Sequence, residues 1–93
     1  MATRIPQDLA RVRGECDRDL ARYPAQRRAV RSILDKLDDL WSDPQGVPAD
    51  LAARIDTLVP HFDALERAVT QAEIERAVDG LVRAYDALGF RSP

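Results

Sequence analysis

The sequence predicts an all-α fold, an antiparallel bundle of four helical segments at about 7–22, 24–42, 48–69 and 70–88. Apolar residues recur at helical spacing along nearly the whole chain. No stretch alternates apolar and polar residues for long enough to form a strand. The composition is rich in Ala, Leu and Arg and has only four Gly, which favours helix over strand. Short connections favour an antiparallel bundle, because its helices can bury their apolar stripes against one another.

Pro24 separates the first two segments. Proline in a helix interior removes a hydrogen bond at a cost of about 3 kcal/mol and pushes the preceding residue, Tyr23, out of the α region. The apolar stripe nevertheless keeps nearly the same phase across Pro24, so we leave open two helices meeting there or one long helix kinked there. The stripe consists of Leu9, Val12, Cys16, Leu20 and Tyr23 in the first segment and Val30, Ile33, Leu34, Leu37, Leu40 and Trp41 in the second.

The strongest boundary follows the second segment. Residues 43–46, Asp-Pro-Gln-Gly, have the order typical of a type I turn, and Pro48 suits the first position of a following helix. The third segment keeps a narrow apolar arc across Pro60, so we expect one helix bent at that proline. If Pro24 also kinks its helix, the chain forms two long kinked helices in a hairpin.

The fourth segment has its own start and stop signals. Thr70 and Glu73 have the spacing of a capping box, and Val69 and Ile74 are placed for a hydrophobic staple. At the other end, the helix should stop at Leu88, where Gly89 is a natural left-handed C-cap and Phe90 is expected to fold back as the accompanying apolar contact. We therefore expect a new helix to start at residue 70 rather than a continuation of the third segment.

Length, charge and cysteine content bound the class of protein. We expect one small domain spanning residues 1–93, located in the cytoplasm, because the chain has one cysteine, no secretory signal and no apolar run long enough to cross a membrane. Thirteen Arg against one Lys are typical of a GC-rich, bacterial genome. Residues 1–33 carry eight basic residues against four acids, and residues 34–93 carry six against twelve. This split could steer a partner or guide self-association.

No residue pattern indicates an enzyme, a metal site or a cofactor. His61 is the only histidine, and no ligand stands three or four residues from it. Cys16 belongs to an apolar stripe, as an inert buried cysteine would. The sequence contains neither a Gly-rich phosphate loop nor a serine nucleophile motif. The remaining acidic cluster follows the polar side of the second segment and is typical of a solvated face; it comprises Asp35, Asp38, Asp39 and Asp43.

The N-terminal third is rich in arginine. Arg11, Arg18 and Arg22 share the predicted outer face of the first helix, and three more arginines begin the second. Such a cluster could bind nucleic acid or another acidic partner. Acids three or four residues away could equally pair with these arginines and leave an ordinary solvated face.

The third segment carries small or uncharged residues opposite its apolar stripe, where charges are usual. This row can be packed closely by another helix. Either the third helix is central in the monomer, or the row is a docking surface, or it reflects the ordinary tolerance of helices for alanine. The row consists of Ala53, Thr57, Pro60, Ala64 and Ala68.

We therefore expect a non-enzymatic protein–protein interaction module, such as an inhibitor, an immunity or antitoxin-like protein, an adaptor or an assembly subunit. Its partner would be another protein or a second copy in a homodimer, bound through the small row and through Arg11, Arg18 and Arg22. One alternative is a nucleic-acid-associated helical subunit that uses the Arg-rich N-terminal third. A second is a bundle that senses a small molecule near Trp41 or Tyr85.

Overall fold

The computed structural model describes residues 5–89, apart from the side chain of Pro6, and the fold is all-α. Within that range no strand occurs, and no helix is both long enough and apolar enough to cross a bilayer. Phe90, which the sequence predicts to fold back on the last helix, lies outside the described residues. The helices are α1 (Ile5–Asp19), α2 (Pro24–Ser42), α3 (Ala49–Ile55), α4 (Val59–Arg67) and α5 (Gln71–Asp86), with a 3₁₀ turn over Asp56–Leu58.

Four of these helices form a closed ring around one core. α2 packs against α1 and α5, and α4 packs against α5 and α1. The smallest dimension of the molecule is 18 Å, which corresponds to about two helix diameters. This is the contact pattern of a helical bundle, and the antiparallel order of its helices stays a prediction. The largest fully buried side chains are Phe62, Ile5, Leu20, Leu34, Leu37, Ile55, Leu58 and Leu81.

The chain breaks at Pro24, which settles the alternative that the sequence leaves open. α1 ends at Asp19, three residues before its predicted end, and α2 begins at Pro24 itself. Tyr23 has φ −128° and ψ 74°, outside the α region. Pro24 occupies the first helical position, where its missing N–H would have no intrahelical partner anyway. The single long kinked helix, and with it the hairpin of two kinked helices, is therefore wrong.

The predicted bend at Pro60 takes the form of the 3₁₀ turn that precedes it. Pro60 has no N–H to donate to the carbonyl of Asp56, and that carbonyl instead accepts from the N–H of Val59. A 3₁₀ residue advances by about 120° rather than about 100°, so this turn is wound more tightly than the α-helices on either side of it. The buried apolar stripe nevertheless continues through the turn, since Ile55, Leu58 and Phe62 are all fully buried.

The turn after α2 is confirmed in its residue roles. The N–H of Gly46 donates to the carbonyl of Asp43 at 2.9 Å, and Gly46 has a positive φ of 76°. The Asp43 carboxylate also accepts from the backbone N–H of Gln45 at 2.9 Å. Pro48 lies just before α3 as its N-cap rather than in its first turn. Trp41 is half-buried against the core beside this turn, as its phase in the apolar stripe predicts.

At the start of α5 the capping box is confirmed and the staple is wrong. The N–H of Glu73 donates to the Thr70 hydroxyl at 3.2 Å, and the N–H of Thr70 donates to the Glu73 carboxylate at 3.0 Å. Val69 also donates its N–H to that carboxylate, at 3.2 Å, yet its side chain is 83% exposed. Ala68 is extended at the end of α4, which turns the following side chain away from Ile74.

Ion pairs link α1 to both of its neighbours in the ring. Arg13 of α1 pairs with Asp35 at 2.9 Å and also with Asp38, both on α2.

Arg11 of α1 pairs with Asp63 and Glu66 on α4. Within α1, Arg11 also pairs with the buried Asp8 at 3.2 Å and with Glu15 at 3.8 Å. One guanidinium is therefore shared among four carboxylates at the contact between α1 and α4.

Glu15 is the member of this cluster whose environment opposes its charge. Its side chain is only 12% exposed. Burial, followed by the nearby charge of Glu66, raises the pKa of its carboxyl above the ordinary value, although Arg11 opposes the change. A raised pKa means that the folded state binds the proton more tightly than the unfolded state does. Protonation of Glu15 therefore stabilises the folded state relative to the unfolded state. This contribution is complete below the unfolded pKa of about 4.3 and is lost as the pH rises through the folded pKa.

We expect Glu15→Gln to increase the free energy of unfolding at pH 7, by less than about 1 kcal/mol because the variant also loses the ion pair with Arg11, which offsets part of the gain. The advantage over the native chain should shrink as the pH falls and disappear below about pH 4, where the native carboxyl is protonated in both states. Chemical denaturation across this pH range measures it. Glu75→Gln, an exposed position on α5, is the control. An advantage that does not change with pH would contradict the assignment.

Candidate protein-docking groove

The strongest candidate site is a groove of about 470 Å³ between α4 and α5. Its floor consists of four small residues, Ala64 and Ala68 on the α4 side and Ala77 and Gly80 on α5. They are spaced four and three residues apart, which places side chains on one face of a helix. These floor residues are buried or half-buried. The lining consists of His61, Ala64, Arg67 and Ala68 from α4 and its end, and of Glu73, Arg76, Ala77 and Gly80 from α5.

The His61 side chain of α4 packs directly on Gly80 of α5. A Cβ atom placed on Gly80 would lie 3.0 Å from Nδ1 and 3.3 Å from Cε1 of His61. These contacts are tighter than nine in ten real Cβ contacts, so a side chain at residue 80 would require the His61 ring to shift by a few tenths of an ångström. The imidazole is half-buried and forms part of the groove lining beside Gly80.

The rim of the groove carries one arginine on each wall. Arg67 ends α4 and Arg76 lies on α5; both are exposed, and neither makes an ion pair with another residue of the range 5–89. Glu73 is the one acid in the lining. Its carboxylate is held by the α5 cap, and the hydrogen bond from the Thr70 backbone is the main cause that lowers its pKa. The rim therefore carries two guanidinium groups and one ionised carboxylate, that of Glu73, which also interacts electrostatically with Arg76.

Val69 lies beside the groove, in the connection between α4 and α5. It is the only large apolar side chain that is exposed among the described residues. Its backbone is fixed by the hydrogen bond to the Glu73 carboxylate, so its exposure is built into the capping arrangement of α5. Val69 does not belong to the groove lining, so it adds an exposed apolar side chain next to the groove rather than a part of its floor.

The structure divides the row of small residues that the sequence singles out. Ala64 and Ala68 line the groove and pack against the core. The other three, Ala53 on α3, Thr57 in the 3₁₀ turn and Pro60 in the first turn of α4, are exposed and lie outside the groove. The hydroxyl of Thr57 donates to the Arg54 carbonyl at 2.6 Å. Partner binding by Ala53, Thr57 and Pro60 stays a prediction.

The three predicted arginines occupy different environments. Arg11 is half-buried and pairs with carboxylates of α1 and α4, so it lies at the contact between these helices rather than on the outer face, and its partner binding stays a prediction. Arg18 is exposed and pairs with Asp19 at 3.2 Å. Arg22 is exposed in the turn between α1 and α2 rather than on a helix. They do not form a common stripe, since α1 ends before Arg22 and turns Arg11 toward α4.

Sequence reasoning missed the α5 side of the groove. Ala77 and Gly80 stand three residues apart on one face of α5, and that spacing was the signal that could have been read. The sequence does not predict that this face of α5 lies beside Ala64 and Ala68, because that depends on which two helices become neighbours in the ring.

A second hollow, of about 430 Å³, lies on α2 and is lined by Arg27, Arg28 and Arg31 with Pro24, Ser32 and Asp35. All of its lining residues belong to one helix, so long side chains rather than a packed floor define its shape. Arg27 reaches Asp17 of α1 at 3.2 Å, and Arg31 reaches the same carboxylate at 3.9 Å. The hollow is a weaker candidate site because it has no packed floor and because two of its arginines already pair with Asp17.

Cys16 is fully buried, and its Sγ lies 3.7 Å from the carbonyl oxygen of Arg27, to which it donates. Burial raises the pKa of this thiol, so it stays protonated rather than becoming a nucleophilic thiolate. Over residues 5–89, no group of three or more His, Cys, Asp or Glu side chains is placed to hold a metal ion.

No protein-family model, no curated protein and no solved structure matches this chain. The groove itself is therefore the feature that bears on function, through its floor of small residues, its two arginines and the exposed Val69 beside it. These features describe a surface that can bind another chain by close packing and charge.

We expect Gly80→Ala and His61→Ala to be coupled. Alanine in a helix interior is favoured over glycine by about 0.5–1 kcal/mol, but here the new methyl group meets the His61 ring. In the His61→Ala background, Gly80→Ala should raise the free energy of unfolding by about that amount, and in the native background by clearly less. Denaturant titration of the four chains measures the difference. Equal stabilisation in both backgrounds would show that the ring does not restrict residue 80.

Proposed function

We propose that this chain is a non-enzymatic protein–protein interaction module whose docking surface is the groove between α4 and α5. The observation that carries the proposal is the floor of small residues between two helices, bordered by Arg67 and Arg76 and adjoined by exposed Val69. A floor without large side chains lets a partner element approach the helix backbones closely, which is how amphipathic helices are held in grooves.

The mode of action in this proposal is occlusion or scaffolding, as in an inhibitor, an immunity or antitoxin-like protein, an adaptor or a subunit of a cytoplasmic assembly. The protonated state of the Cys16 thiol and the packing of His61 against Gly80 support the non-enzymatic part of the proposal. A homodimer is included in it, with a second copy of the chain as the partner.

Ala64→Glu should abolish or weaken partner binding by about tenfold or more, because it places a charge on the groove floor where a docked chain excludes water. Ala53→Glu is the matched control, since residue 53 is exposed on α3 outside the groove. Affinity capture from the native host with both variants, together with sizing by light scattering, measures partner loss and oligomeric state.

Ala64 is half-buried, so circular dichroism must first show that Ala64→Glu keeps its helix content. Ala68→Glu, at the other half-buried position of the floor, replaces it if it does not. Retention of the native partner by the folded floor variants would refute the groove as the docking surface. Loss of the partner in Ala53→Glu alone would move the docking surface to α3.

One observation favours a second candidate function, a nucleic-acid-associated subunit. Arg28 lines the α2 hollow without an acidic partner in the described part of the chain, beside Arg27 and Arg31. Against it, Arg11 and Arg13 are used in ion pairs between helices, which leaves few cations for a phosphate backbone. No comparable observation favours a small-molecule sensor, since Trp41 and Tyr85 pack against the core.

A retardation assay at low and at moderate salt separates the two candidates. If the groove proposal is right, we expect no retained complex with DNA or RNA even at low salt, because binding through few phosphate contacts is weak. Retention that disappears in Arg28→Glu/Arg31→Glu, but not in Arg83→Glu on α5, would establish the second candidate instead.

A further inference from the structure

We infer that the partner element held in the groove between α4 and α5 is an amphipathic helix whose apolar stripe is bordered by carboxylates on both sides. The inference rests on the proposed function, because it names the chemistry of the partner for the same groove. It follows from the length of the groove, from its floor and from the positions of its two arginines.

The length of the groove matches about two turns of a bound helix. Its lining on α5 runs from Glu73 to Gly80, which at 1.5 Å per residue is about 10 Å. That length accommodates apolar side chains at i, i+3 or i+4, and i+7 of a partner helix. Since the floor is built from alanine and glycine, the partner must supply the large apolar side chains. Val69, exposed at the connection to α5, extends the apolar contact at that end.

The charges require acids on both sides of that apolar stripe. Arg67 stands on the α4 wall and Arg76 on the α5 wall, so a helix lying between them meets a guanidinium on either side. Neither arginine forms an ion pair within residues 5–89, although the Glu73 carboxylate, which accepts three hydrogen bonds around the α5 cap through one oxygen, also interacts electrostatically with Arg76. Guanidinium groups bind carboxylates with well-defined, often bidentate geometry.

The net charge of the chain does not produce this preference. The chain carries −2 overall, so long-range attraction would not favour an acidic partner. Binding of an acidic helix must come from the groove, and it should therefore respond to these two arginines and not to a change of charge elsewhere on the surface.

Two synthetic helical peptides test the inference. Both carry leucines at i, i+4 and i+7, and they differ only in the flanking residues, which are Glu in one and Lys in the other. The probe is the peptide itself, titrated into the full chain while the amide signals of Gly80 and Ala77 are followed by NMR. The Glu peptide should shift these signals and bind more weakly as salt is added, and the Lys peptide should leave them unchanged.

The double variant Arg67→Glu/Arg76→Glu should weaken the Glu peptide by about tenfold or more and admit the Lys peptide. Both positions are exposed, so the fold should be retained. The matched control is Lys36→Glu/Arg83→Glu, which makes the same change of net charge at two exposed positions outside the groove. The control should leave the affinity for the Glu peptide within about twofold of the native value.

The inference is overturned if the two peptides bind equally, if neither shifts Gly80, or if the control variant loses as much affinity as the groove variant. These failures are distinct from failure of the proposed function. If the peptides fail but Ala64→Glu still loses the native partner, the groove remains the docking surface and only the acidic helix is refuted. If Ala64→Glu keeps the native partner, both are refuted.

Discussion

The shared apolar core is the constraint on which the rest of the structure depends. A chain of 93 residues buries a smaller fraction of its unfolded surface than a larger domain does, so every helix must contribute to one core. Each helix of the ring contributes one stripe to this core, and Phe62 of α4 is its largest fully buried side chain. Because each apolar stripe faces the core, the opposite face of each helix carries mainly charged residues. The side shared by α4 and α5 is the exception, since its small residues leave a groove between two packed helices.

The sequence predicted the elements better than their ends. The Thr70–Glu73 cap of α5 acts locally, so its residue types suffice to place a helix start, whereas the pattern around Pro24 leaves a break and a kink open. The 3₁₀ turn before Pro60 was not predictable, since a proline can be accommodated by a smooth bend or by a local change of helix type. Exposure of Val69 was also missed, because the backbone of Ala68, rather than the staple pattern, decides where that side chain points.

The candidate site was predicted only in part, for a similar reason. Ala64 and Ala68 were identified from one helix, whereas Ala77 and Gly80 join them through contact between helices that no spacing along a single helix can reveal. Arg11 illustrates the reverse error. From the sequence it is an outward cation with acids nearby, and in the structure it joins α1 to α4 through Asp63 and Glu66. Some of the basic residues of the N-terminal part and the acidic residues of the rest of the chain thus pair with each other and hold the helices together.

α3 stands apart from the ring, and this separation bears on the internal motions of the molecule. Ile55 is its only fully buried residue, and a hydrogen bond of 2.8 Å from Arg54 to the Leu88 carbonyl ties it to the residues after α5. Opening α3 at the 3₁₀ turn therefore exposes little core while the four ring helices stay packed. α3 is the natural unit of partial unfolding, so its amide hydrogens should exchange with solvent well before those of α2 and α5.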